Sequence, residues 1–261
     1  MQLLALIIAY LICHVVPKPQ RFRNFSWFNR WSSWFNDVIK INIKEITVIL
    51  IIAIPVIAID FILYGVFTTT LGGLLISVLV LSYCIGPESI EEDVESNQLH
   101  EKLGISKNAK IPVLIKKMTQ ESLKRWFGVF FWYLVLGIVG ALMYRFSERL
   151  DYYTTGKDNT KPVTQKLMKV LNYPVVWMMV LSLAIASDFE RIFKKCKPFM
   201  NVNNVMKLDD TFLYDAADFA VENCEVEEED KKSIEQVTIG VLKRMLVVWL
   251  VFVSILVIFV V

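Results

Sequence analysis

Apolar residues gather in six runs separated by polar, mostly basic stretches, and these runs set the elements. A helix needs about 20 apolar residues to span a ~30 Å hydrocarbon core. The first run, MQLLALIIAYLICHVV (1–16), is a little short of that and is ended by Pro17 and Pro19. It lacks a basic lead-in and a small-x-small cleavage site, so it reads as a short span or an interfacial helix rather than a cleaved signal. ITVILIIAIPVIAIDFILYGV (46–66) is the strongest span. The turn residues TTTLGG (68–73) and the run LLISVLVLSYCIG (74–86) follow, so 46–86 predicts a helical hairpin that reverses at the threonines and glycines. The fourth run begins at Trp126 and continues as FFWYLVLGIVGALMYRFSERLD (130–151), giving a predicted span over 126–146. YPVVWMMVLSLAIAS (173–187) is short, and a span, a re-entrant segment and a buried helix all stay open for it. MLVVWLVFVSILVIFVV (245–261) reaches the last residue and reads as a C-terminal span. The pattern predicts an all-α fold: a polytopic α-helical membrane protein, one integral domain over 1–261 with about 4–6 hydrophobic helices and amphipathic cytoplasmic segments.

The polar segments orient this scheme. PKPQRFRNFSWFNRWSSWFNDVIKINIK (17–44) sets Lys18, Arg21, Arg23, Arg30, Lys40 and Lys44 against Asp37 alone. By the positive-inside rule it is cytoplasmic, and 87–125, across the hairpin, lies there too. Trp27, Phe28, Trp31, Trp34 and Phe35 recur at helical spacing beside those cations. That pattern suits a helix lying at the lipid headgroups with Arg21, Arg23 and Arg30 toward anionic lipid; packing of its rings against the bundle is the competing reading. If 126–146 and 173–187 both cross, the linker 147–172 is outside although it carries Arg149, Lys157, Lys161, Lys166 and Lys169, and RIFKKCK (191–197) is cytoplasmic. That arrangement is preferred to the one in which the fifth run does not cross and 147–244 is all outside. Within the polar segment 188–244, DDTFLYDAADFA (209–220) predicts a helix and EVEEEDKK (225–232) an exposed acidic loop.

Composition supports the membrane setting: 55% of the 261 residues are hydrophobic and the mean hydropathy is +0.49. A net charge of +2 implies no nucleic-acid partner. Cys13, Cys84, Cys196 and Cys224 lie far apart, and His14 and His100 are the only histidines. Neither a disulfide framework nor a metal site has that spacing, so no metal is expected. Nucleotide-loop, zinc-protease, CxxC and serine-elbow motifs are absent, so no catalytic residue is assigned. Asp60 is the one acid well inside a span, where an ionisable group is costly and points to function, although it lies near the turn. Gly137 and Ala141, with Gly140 beside them, form a small-xxx-small face that lets another helix approach closely. Another membrane protein or a second copy is the partner such a face on 126–146 would take, besides the lipid bilayer itself. Tyr144 and Arg145 suit an aromatic belt and a snorkelling cation. With Glu148, Arg149 and Asp151, Arg145 also forms a cluster that an anionic ligand could use.

The order of segments carries a resemblance. LSYCIGP (81–87), QESLKRWFGVFFWYLVLGIVGALMYRFSERLD (120–151), KVLNYPVVWM (169–178) and ASDF (186–189) resemble the AmpE family of bacterial inner-membrane proteins, related to the CobD/CbiB family of cobalamin biosynthesis. The middle block, a Glu-Ser pair, an apolar FW run and G-x-x-GAL-x-YR, is the most specific part. The resemblance implies a multi-pass protein of the bacterial inner (plasma) membrane with a regulatory or signalling role in β-lactamase induction, and it suggests nucleotide binding. CobD/CbiB proteins join cobyric acid to an aminopropanol unit, so an amide-forming synthase acting on an anionic amphiphile is the alternative. Their pattern after YR is N-T-L-D-S; here it is S-E-R-L-D-Y, and only Leu150 and Asp151 match. Their N-terminal H-P-V-x-W-M-G-like segment is absent. Where many AmpE-like chains have Glu-Arg, this one has Cys13-His14. The positions carried over by the resemblance are Glu121, Tyr144, Arg145, Asp151 and Asp188.

Overall fold

A computed structural model describes residues 2–15, 24–38, 43–64, 70–85, 94, 99–106, 109–154, 160–200, 208, 210–222 and 231–260. At 13–15, 70, 195, 198, 200, 231, 232, 253 and 256–260 it describes the backbone alone. All the regular structure among these residues is helical. The chain runs through α1 (Gln2–Val15), α2 (Ser26–Val38), α3 (Lys44–Tyr64), α4 (Thr70–Cys84), α5 (Leu99–Lys102) and α6 (Ile111–Ser122). A π-helical turn (Leu123–Phe127) leads to α7 (Gly128–Tyr153), then α8 (Lys161–Ala186) and α9 (Phe189–Cys196). A 3-10 turn (Lys197–Met200), α10 (Thr211–Glu222) and α11 (Lys231–Val260) complete it. By length and composition alone, three helical stretches among the described residues are long and apolar enough to cross a membrane, Lys44–Tyr64, Ile111–Tyr153 and Lys161–Ala186, with shorter apolar helices at Gln2–Ile12 and Leu71–Cys84.

The helices divide into two compact units, one of 1–87 with 128–171 and one of 88–127 with 172–261. In the first unit α1 packs on α4. Its contact face is Ala5, Leu6 and Ala9, where the two alanines four apart keep the helices close. Helices α3 and α4 each pack on α7. Both halves of 46–86 thus lie against α7. Gly72 and Gly73 lie inside α4, and residues 65–69 are outside the described set. α3 buries Val48, Ile51, Ile52 and Val56 and exposes Ile49, Ile57, Phe61 and Ile62. A helix apolar on both its inner and outer faces suits lipid rather than water outside.

The fourth apolar run departs most from its prediction. Gly137 has φ +64° and ψ −149°, a combination nearly closed to residues with a Cβ. In a straight helix Gly128 and Tyr144 would lie ~24 Å apart, yet a methyl placed on Gly128 would overlap the Tyr144 ring. Likewise a Cβ on Gly140 would overlap the Trp132 carbonyl. The two arms of α7 therefore double back on each other about Gly137. Beyond the reversal, Ser33 and Tyr153 share a 3.2 Å hydroxyl contact, so the far end of α7 returns to α2. The predicted straight span over 126–146 is corrected to a folded-back pair of arms. Gly137 serves the turn and not close packing, since a Cβ there would meet only the Gln2 side chain, at 3.9 Å. Gly140 and Ala141 are buried within the fold-back.

Prolines inside helices leave a carbonyl without its donor. Pro55 does this to Ile51, four residues earlier, and the Trp31 indole N–H donates to that carbonyl at 3.0 Å. Pro174 does the same to Val170, and Trp132 donates to the adjacent carbonyl of Leu171 at 3.1 Å. The fifth run is longer than its apolar core suggests: α8 starts at Lys161, so much of the predicted linker is helix.

In the second unit α6 packs on α10 and α11, and α9 packs on α10. Leu114, Ile115 and Met118 of α6, Phe212, Leu213 and Ala216 of α10, and Leu242 and Met245 of α11 are all buried. His100 Nε2 meets Glu235 Oε1 at 3.1 Å. Burial, then the neighbouring Asp210, raises the Tyr214 phenol above its ordinary range. The predicted helix 209–220 is found as Thr211–Glu222. Most of the acidic loop, 225–230, lies outside the described residues.

Candidate functional site

The densest chemistry in the first unit lies where α7 meets α2. Phe28 stacks on Phe146 with centroids 4.6 Å apart and planes 13° from parallel. Trp27 meets the same ring edge-on at 5.6 Å, and Phe25 packs on Tyr83 at 4.7 Å. The Trp27 indole donates to the Tyr83 hydroxyl at 2.9 Å, which in turn donates to the Asn24 carbonyl at 3.3 Å. Arg145 is 2% exposed. Its Nη1 donates to Glu148 Oε2 at 3.1 Å, and Arg149 approaches the same oxygen at 3.6 Å. Both guanidiniums stand over the Phe25 ring, at 5.6 and 4.9 Å. The Phe25 ring face attracts the buried Arg145 cation, by up to ~2 kcal/mol when desolvated. Arg145 Nε has no hydrogen-bond acceptor among the described residues.

The surface helix is therefore split in its allegiance. Phe28 and Phe35 are buried in protein, which corrects their assignment to the membrane surface, while Trp34 remains 52% exposed and Trp27 37%. Trp31, bonded to the Ile51 carbonyl, is partly buried and Arg30 is exposed. Arg21 and Arg23 lie outside the described residues, as does Cys224, and the side chains of Cys13 and His14 are likewise outside them.

The other candidates have separate settings. Asp151 receives Lys161 at 3.2 Å and the Thr164 hydroxyl at 3.1 Å, while Lys161 also donates to the Asp151 carbonyl. This clasp ties the end of α7 to the start of α8. Tyr144 is fully buried against Gly128. Asp60 is partly exposed near the end of α3, with no ion pair or hydrogen bond among the described residues. In the second unit, Glu121 pairs with Arg125 one turn on, at 3.0 Å. Asp188 caps α9 by accepting from the Arg191 backbone N–H at 3.1 Å and pairs with Arg191 Nε at 3.2 Å. So Glu121, Arg145 and Asp151, which an amide-forming site would need together, each have a partner of their own.

A cleft of about 360 Å³ opens in the second unit. Leu183, Ala220 and Val241 form its apolar wall and Asp188, Arg191 and Arg244 its polar edge. Sequence reasoning missed Arg191 and Arg244; the available signal was position, one just after the fifth apolar run and the other just before the sixth. Among the described residues no group of three or more His, Cys, Asp or Glu is placed to hold a metal ion.

Fold and setting together define an all-α membrane protein built around apolar helices. No family model, curated protein or solved structure matches the chain.

Proposed function

We propose that the chain is a regulatory or sensory component of a bacterial inner membrane, multi-pass and AmpE-like, acting on β-lactamase induction or the envelope stress response. The observation that carries this reading is the joint at Arg145. A buried cation there links the surface helix α2, through Phe25, to the folded-back helix α7. Such a joint couples events at the membrane surface to the position of a buried element, which is what a sensor requires. The charged candidates serve as clasps and caps within each unit, a use that suits a transmitting element. No nucleotide or metal enters this proposal.

The test is a deletion in the host, complemented with the wild-type chain or with Arg145→Met. The expected outcome is a changed β-lactam response or envelope-stress output, restored by the wild type and not by a stably expressed Arg145→Met. Unchanged responses on deletion would sink the proposal.

A further inference from the structure

The cleft in the second unit lies where two apolar runs meet polar sequence. Asp188 and Arg191 follow directly on the run that ends α8, and Arg244 directly precedes the run that fills the second half of α11. In a membrane this is the level of the headgroups. Leu183, Ala186, Ala220 and Val241 give the cleft an apolar lining beside those polar groups.

Charge decides what fits. Two arginines against one aspartate leave a net of one positive charge at the edge. The Asp188 carboxylate is already engaged by the backbone N–H and the guanidinium of Arg191, so little of it is left for an ammonium group. Arg244 is exposed and has no ion pair or hydrogen bond among the described residues. A guanidinium is suited to bidentate contact with phosphate oxygens.

The neighbouring helix points to the same ligand. On α9 Phe189 and Phe193 are exposed, 53% and 39%, and stacked 5.7 Å apart. Arg191, Lys194 and Lys197 are exposed on the same short segment. Exposed rings beside cations are the pattern of a helix that seats its aromatics among acyl chains and its charges at anionic headgroups. We propose that this cleft binds the phosphodiester headgroup of an anionic phospholipid, with Arg244 as the principal contact, Arg191 fixed beside it by Asp188, and an acyl chain along the Leu183–Val241 wall. This rests on the membrane setting of the protein and not on its regulatory role.

The experiment is native mass spectrometry of the full chain in detergent, titrated separately with phosphatidylglycerol, phosphatidylcholine and sn-glycerol 3-phosphate. Phosphatidylglycerol adducts are expected on the wild type and weaker phosphatidylcholine adducts. Arg244→Ala should lower phosphatidylglycerol affinity about tenfold, the loss of one charge-assisted contact. Arg244→Lys should recover part of it, and Arg125→Ala, outside the cleft, should bind as the wild type does. Ala186 also lines the cleft, so Ala186→Phe, which fills it without removing a charge, should weaken binding too. Equal affinity for the two lipids, or an unchanged Arg244→Ala, would overturn the proposal. Saturation by sn-glycerol 3-phosphate at the lipid's concentration would overturn it in favour of a soluble phosphate site. Because the readout is lipid affinity, its failure leaves the genetic test of the regulatory role standing.

Discussion

Trp31 and Pro55 are twenty-four positions apart, and each explains the other. Pro55 keeps α3 from closing its ladder at Ile51, and the Trp31 indole completes that carbonyl at 3.0 Å. A buried carbonyl left without a donor costs about 1–3 kcal/mol. Trp31→Phe, which keeps the ring and removes the N–H, should therefore lower stability by roughly 1–2 kcal/mol. In a Pro55→Ala background the loss should shrink, because alanine at that position returns a backbone N–H to the Ile51 carbonyl. A double-mutant cycle by thermal or denaturant unfolding in detergent measures this coupling; equal losses in both backgrounds would refute the pairing. Both residues are visible in the sequence, but their partnership is not. A tryptophan in an amphipathic stretch predicts an interface, and nothing local to it points to a carbonyl on another helix.

At the scale of the element, the sign of one substitution separates a straight helix from a folded-back one. In a straight exposed or lipid-facing helix, Gly128→Ala would stabilise by up to about 1 kcal/mol. Against the Tyr144 ring it should instead destabilise by about 1–3 kcal/mol, the cost of overpacking, and Tyr144→Leu should relieve part of that cost in the double variant. Gly240→Ala is the internal comparison, since a Cβ there meets nothing within 4 Å, and it should be neutral or stabilising. Thermal unfolding of the variants decides; a stabilised Gly128→Ala would rule out the fold-back. The apolar character of 126–146 was legible, and so was the closeness that its small residues allow. The reversal was not, because GIVGAL holds no proline, polar residue or charge to mark a turn. A hydropathy pattern records what a side chain prefers to touch, whereas Gly137 matters for the φ it tolerates.

Over the whole molecule, the fold-back changes how the chain is threaded. A straight crossing puts Tyr153 on the side opposite α2; the Ser33–Tyr153 contact puts it on the same side. Single cysteines at Trp34 and Tyr152, 52% and 81% exposed, should thus react with a membrane-impermeant maleimide from the same face of sealed vesicles. Labelling from opposite faces would restore the straight span. The same-side threading also removes a tension present in the sequence itself. Arg149, Lys157, Lys161, Lys166 and Lys169 form a basic segment that a straight span exports against the positive-inside rule. That excess of cations was the legible warning. For biogenesis the consequence is concrete. A folded-back α7 that entered the bilayer as a closed loop from one side would spare Arg145, Glu148, Arg149 and Asp151 a passage through hydrocarbon. Each ionic side chain carried to the bilayer centre costs roughly 2.5–3.5 kcal/mol on insertion scales. A loop that entered in this way would leave its charges at the entrance.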